Sequence, residues 1–212
     1  SNSIMSQPLN DWFKIIRSHK ISLEVISSQL HDFAEIYYRR NLIVHNNGKI
    51  NRQYLAGIKA DGNSYQLGQQ LITDQKYVLK AINTIIIIVY GILYASLKVN
   101  KEDKDEYLDF LFSAGFEHMM EEDWDISYFI FGLLINEECK DVLTNVLSQI
   151  NFWISCKNKG QFEQVKAEIE ATDYSAMNIS VRMAKEILLE NYETAVSLMD
   201  EAMACELPPD VV

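Results

Sequence analysis

The chain has 212 residues, 48% of them apolar and 23% charged, with a formal net charge of −11. That length supports one large or two small domains with a real core, and three prolines with eight glycines are too few for the turns of an all-β fold, so an all-α protein is expected. The acidic balance argues against a nonspecific nucleic-acid binder. Three cysteines, Cys139, Cys156 and Cys205, with no close pair and no histidine at metal-like spacing, predict reduced thiols in a cytoplasmic protein.

Ser1-Asn2 reads as a protease scar, and core-like sequence follows almost at once, so the chain is expected to be a fragment of a longer protein. No charged-then-apolar leader opens it. Leu23, Ile26, Leu30, Phe33 and Tyr37 follow a helical spacing that makes one apolar stripe. Arg40, Asn41 and Val44 continue that line, which predicts that the polar residues turn inward. Asn46-Asn47-Gly48 supplies a left-handed helix stop. Asp61-Gly62-Asn63-Ser64 reads as a loop, and Thr73-Asp74 as the N-cap of a long apolar helix over 75–98.

That helix, with Ile85-Ile86-Ile87-Ile88-Val89 at its centre, is long enough to span a bilayer. It also carries Lys80, Asn83, Thr84 and Ser96, so the expectation is a buried central helix with no membrane association, or an oligomer interface. Asn100 to Asp105 is a charged link and a soft boundary, giving a helical bundle over 1–100 and stacked helical hairpins over 101–212. Helices are predicted at 105–120, 125–135, 138–156, 161–171, 176–190 and 192–204. Gln161-Phe162-Glu163-Gln164-Val165 and Asn191-Tyr192-Glu193-Thr194-Ala195 repeat at an offset of 30, and Ile169 matches Met199. This half-motif resembles the second helix of a tetratricopeptide unit and suggests a protein partner for the C-terminal helices. Leu207-Pro208-Pro209-Asp210 ends the last helix.

Charge is unevenly spread. From Glu35 to Lys59 there are five basic residues (Arg39, Arg40, Lys49, Arg52 and Lys59) and one acid, whereas 102–125 holds ten acids and one lysine. A basic island on an acidic body suits a small or structured RNA better than bulk nucleic acid. Within that island lies Arg40-Asn41-Leu42-Ile43-Val44-His45. Metal-independent RNA cleavage needs a base for the 2′-hydroxyl, an acid for the leaving 5′-oxygen and a cation for the phosphate. His45 can move a proton near neutral pH and Arg40 can clamp a phosphate in a bidentate way. Asn41 shares a helix face with His45 and can orient it or bind substrate.

The run Tyr38-Arg39-Arg40-Asn41-Leu42-Ile43-Val44-His45-Asn46-Asn47-Gly48-Lys49-Ile50-Asn51, with Tyr54 beyond it, closely resembles the signature of the HEPN superfamily. These are small helical bundles found in bacterial toxins, abortive-infection proteins and the RNA-cleaving domains of some RNA-guided defence effectors. The resemblance covers about residues 10–100 and leaves the C-terminal half untouched. It implies a metal-independent endoribonuclease leaving a 2′,3′-cyclic phosphate, working as a homodimer with one motif from each chain in a shared cleft. It also implies that the domain's first helix or helices are missing here. Arg40 and His45 are then catalytic and Asn41 supporting, with Arg39, Lys49 and Arg52 binding RNA. One motif supplies one histidine, and two-fold symmetry supplies the second.

The competing expectations are a noncatalytic dimeric scaffold, in which Arg40 and His45 are buried and structural, and a solenoid-type interaction protein built on 105–206. The other histidines carry less: His19 is expected to be exposed, His31 to reach the motif's cleft or the surface, and His118 to pair with Glu122 about a metal only weakly. Trp12, Trp124 and Trp153 read as core or interface. No zinc signature, phosphate-cradling glycine loop or Ser-His-Asp ordering is present, so neither metal nor cofactor is expected.

Overall fold

The computed structural model describes residues 9–58, 65–99, 104–137, 139 and 141–206. The predicted loop at 61–64, Lys59, most of the charged link, the Cys205 thiol, Ser1-Asn2 and the Leu207–Asp210 stop lie outside the described residues. Among those described there are ten α-helices, one 3-10 helix and no strand, so the fold is all-α. The chain divides into two compact units, 1–102 and 103–212.

In the first unit, α1 (Leu9–Ser18) sets Phe13 against Phe33, ring centroids 6.2 Å apart. The stripe predicted as one helix from Leu23 is broken. A 3-10 segment, Glu24–Gln29, precedes α2 (Leu30–Asn46). At its start the Ser22 hydroxyl accepts from the Glu24 amide at 3.2 Å, a local side-chain bond of the kind that favours turns over α-helix. The stripe's anchors are nevertheless internal, with Leu23 and Ile26 buried.

The stop after α2 forms as the sequence predicts. Asn47 and Gly48 both take left-handed backbone angles, φ 48° and 72°, and the Gly48 amide closes on the Leu42 carbonyl at 3.0 Å. The left-handed angle favours glycine at 48; a Cβ there would also displace the flexible end of the Gln70 side chain. The chain then pairs briefly with 68–71: the Ile50 amide donates to Gln69, and the Leu71 amide to Gly48. This clamp delivers Asn51, which caps α3 (Arg52–Gly57) by accepting from the Tyr54 amide at 2.8 Å. Leu42, Ile50, Tyr54, Ile58 and Leu71 form the small core beneath.

Asp74 caps α4 (Gln75–Leu97) as predicted, accepting from the Tyr77 amide at 2.8 Å. The helix runs antiparallel to α2, joined by Lys80–Asp32 at 2.7 Å and by Tyr77 to Glu35. It is long and apolar enough to cross a bilayer by length and composition, but only 33% of its most apolar stretch is buried. The expectation of a helix enclosed all round therefore fails. Ile87, Ile88, Tyr94 and Ala95 pack inward, while Val78, Ile82, Ile85 and Val89 form an exposed seam.

The second unit is three helical hairpins: α5 (Lys104–Met120) with α6 (Trp124–Leu134), α7 (Val142–Asn158) with α8 (Phe162–Ala171), and α9 (Ile179–Leu188) with α10 (Tyr192–Glu206). Helices α7 and α9 start a few residues later than predicted because Asp141 and Asn178 cap them. The half-motif seen twice in the sequence occurs a third time as geometry. Glu122, Gly160 and Glu190 each take φ between 61° and 72°, and each is followed by an amide bonded five residues back: Asp123 to His118, Gln161 to Cys156, Asn191 to Glu186. An aromatic residue comes next in each, Trp124, Phe162 and Tyr192, and then, three residues on, a small residue buried against its neighbour: Ser127, Val165 and Ala195. Trp153, fully buried, centres the core of α7, α8 and α9, whereas Trp12 and Trp124 are half-buried.

Candidate functional site

The last turns of α2 and the start of α3 enclose an open cavity of about 320 Å³. Tyr37, Tyr38, Arg40, Asn41, Leu42 and His45 line it from α2, and Asn51, Gln53 and Tyr54 from α3. The left-handed stop and the Asn51 cap create this geometry, since together they turn the chain back across the end of α2. Arg40 and His45 are both exposed, so the burial expected of a purely structural pair is not observed. The Arg40 guanidinium donates to the Asn41 side-chain oxygen at 3.1 Å. Asn41 thus holds the arginine rather than the imidazole.

The inward face of α2 differs from the predicted one. The line that turns inward is Glu35, Arg39 and Leu42, not Arg40 and Val44, and Val44 is 56% exposed. Arg39 is 7% exposed. Its Nε donates to Glu35 at 2.6 Å, its Nη1 to the Ile72 carbonyl at 2.8 Å, and its guanidinium lies over the Tyr77 ring, 4.0 Å from the centroid. The assignment of Arg39 to RNA binding is therefore corrected: its donors face the interior. The apolar pattern could not reveal this, because Glu35 and Arg39 on the inward line are polar and are satisfied by residues distant in sequence.

Glu35 is the hub of that interior. Beyond Arg39, it accepts from the Tyr54 hydroxyl at 2.7 Å and from the Tyr77 hydroxyl at 2.8 Å. Burial, and then the hydrogen bond each donates to Glu35, push both phenols well above their ordinary pKa. Burial opposes the charge on Arg39, but Glu35 outweighs it and the guanidinium is held all the more firmly protonated. Tyr54 belongs to both systems. Its hydroxyl is tied to the buried hub and its ring walls the cavity, so the hub fixes the floor on which Arg40 and His45 stand.

Lys49 and Arg52 are exposed on the segments next to the cavity but do not line it. The cavity's lining includes Arg40 and no acidic residue. His31 borders a different cavity of about 230 Å³, with Asp32, Glu35 and Lys80, and does not reach the motif. His19 is exposed. His118 groups with Glu121 and Asp123 rather than with Glu122, their donor atoms all within 4.8 Å of one another, and its Nδ1 lies 3.2 Å from Asp123. That grouping follows from the hairpin turn at Glu122.

The sequence reading missed Tyr37, Asn51, Gln53 and Tyr54 as parts of one site. Asn51 and Tyr54 were visible as flanking residues, but only the return of the chain through 68–71 shows that they close the cavity. No family model, curated protein or solved structure matches the chain.

Proposed function

We propose that the cavity at the end of α2 is half of a metal-independent endoribonuclease site of the HEPN type, completed by a second copy of the chain. The observation that carries this reading is the convergence of Arg40, Asn41 and His45 on one open cavity, with His45 exposed and unbonded among the described residues. In the proposed reaction, His45 of one copy takes the proton of a ribose 2′-hydroxyl, which attacks the adjacent phosphorus. Arg40, steadied by Asn41, neutralises the non-bridging oxygens. His45 of the second copy gives a proton to the departing 5′-oxygen. The products are a 2′,3′-cyclic phosphate and a free 5′-hydroxyl. Lys49 and Arg52 draw the flanking phosphates toward the mouth. Such an activity fits a defence or toxin-type protein in the cytoplasm, with the hairpin unit contacting a protein partner.

The exposed seam on α4 supports pairing of two copies. Val78, Ile82, Ile85 and Val89 follow the i, i+4, i+7, i+11 spacing of a helix–helix seam, and no charged residue interrupts it.

The test is cleavage of total and structured RNA by the full chain in the presence of a chelator, with the product ends identified. His45→Ala and Arg40→Ala are each expected to lower the rate by about two to four orders of magnitude while leaving the melting temperature unchanged. A His45→Ala protein that cleaves normally, or that melts several degrees lower, would move the assignment to a noncatalytic scaffold.

A further inference from the structure

We infer that the cavity holds one unpaired nucleotide and selects a keto base, uracil or guanine, over an amino base, cytosine or adenine. The inference rests on reading the cavity as an RNA site. It follows from the hydrogen-bonding inventory of the cavity wall.

Three side-chain amides line the cavity, and two have their oxygen engaged within the protein. The Asn51 oxygen accepts from the Tyr54 amide at 2.8 Å, and the Asn41 oxygen accepts from Arg40 at 3.1 Å. Both assignments are fixed by their partners, because an N–H donor can face only the oxygen of an amide. The two NH₂ groups that remain have no acceptor among the described residues, and Arg40 adds further donors. Of these three amides, only Gln53 has both its donor and its acceptor unengaged among the described residues. The cavity's amides and Arg40 therefore offer more donors than acceptors, while the tyrosine hydroxyls and the His45 ring in the same wall can act either way.

A ligand that fits must present acceptors. Phosphate does so whatever base is attached. Uracil offers O2 and O4, and guanine offers O6 and N7. Cytosine and adenine place an amino group where uracil and guanine have a keto oxygen, which sets donor against donor and leaves both unsatisfied. The edge-to-face Tyr37 and Tyr38 rings, centroids 5.4 Å apart, give an aromatic wall for the base. The volume of about 320 Å³ lies at the small end of the range for small-molecule sites and suits a single nucleotide.

The decisive measurement is calorimetric titration of the 212-residue chain with the four 2′-deoxynucleoside 3′-monophosphates, which lack the 2′-hydroxyl and so are not turned over. Deoxyuridine 3′-monophosphate is expected to bind about tenfold more tightly than its deoxycytidine counterpart, and the guanine compound more tightly than the adenine one. Asn51→Asp keeps an oxygen to cap α3 but replaces the NH₂ with an acceptor. Its added charge weakens every phosphate ligand alike, so the uracil-to-cytosine ratio is the readout, and that ratio is expected to fall to unity or below. Inorganic phosphate, titrated in parallel, measures the charge effect alone. Equal affinities, a preference for amino bases, no nucleotide binding, or an unchanged ratio in Asn51→Asp each overturns the inference, even if RNA is still cleaved. Keto-selective binding without any RNA cleavage supports the inference while refuting the nuclease reading.

Discussion

Arg39 and Arg40 are neighbours with opposite fates. One is carried into the interior by Glu35 and the other stays at the cavity mouth. The interior arginine is the more costly to disturb, since a buried ion pair is weak evidence of net stabilisation but expensive to break from one side. Glu35→Ala is therefore expected to destabilise the protein by about 3–5 kcal/mol, read as a shift in the urea midpoint. The same hub sets an alkaline limit. Tyr54 and Tyr77 hold their protons more tightly folded than unfolded, so their contribution is whole below the ordinary tyrosine pKa of about 10. It is lost as pH rises beyond that value, where the unfolded chain ionises first. Thermal melts from pH 8 to 12 should show stability falling above about pH 10, with a shallower fall in the Tyr54→Phe/Tyr77→Phe double variant.

At the scale of elements, the site depends on how closely α3 approaches α2. Gly57, the last residue of α3, faces the Tyr38 ring so closely that an added Cβ would collide with the ring carbons. Tyr38 is also a wall of the cavity, so packing and site meet at one contact. Gly57→Ala is expected to cost about 1–3 kcal/mol from overpacking and to weaken RNA cleavage by displacing Tyr38. The check is a melting curve alongside steady-state cleavage, with cleavage falling further than the lost folded fraction explains. A variant that is destabilised but cleaves normally per folded molecule would separate the helix contact from the cavity.

For the whole molecule, the proposed chemistry needs a second histidine, and α4 offers an apolar seam for the copy that carries it. Ile82→Asp with Ile85→Asp places two charges in that seam, at positions 46% and 40% exposed. Light scattering is expected to show a dimer for the parent chain and a monomer for this variant, with cleavage reduced by at least about tenfold. Circular dichroism should be unchanged, because both side chains face outward in the unit. A monomeric parent that still cleaves would require one chain to supply both acid and base.

Most of the helices were legible in the chain, because caps and stops are local chemistry. Asp74 ahead of an apolar run, and Asn46-Asn47-Gly48 after a periodic one, specify their ends without help from the rest of the protein. The motif Arg40, Asn41 and His45 was equally visible, since three residues within two turns of one helix are neighbours in any helical fold. What the sequence could not decide was which side of α2 is the interior. That depends on Glu35 meeting Tyr54 and Tyr77, 19 and 42 residues away, and on the Ile72 carbonyl meeting Arg39. Buried polar groups break the apolar rule and are tolerated only where distant partners complete their hydrogen bonds. The break between α5 and α6 was legible too, but its kinship with the turns at Gly160 and Glu190 was not: it rests on the left-handed angle of Glu122 and the closing bond from the Asp123 amide to His118, which the surrounding residues do not spell out. The sequence by itself determined the helices and the grouping of Arg40, Asn41 and His45 on one of them; tertiary structure alone decided that Arg39 is a strut, that Arg40 stays exposed, and that α3 walls an open cavity beside it, because each of these rests on contacts between residues far apart in the chain.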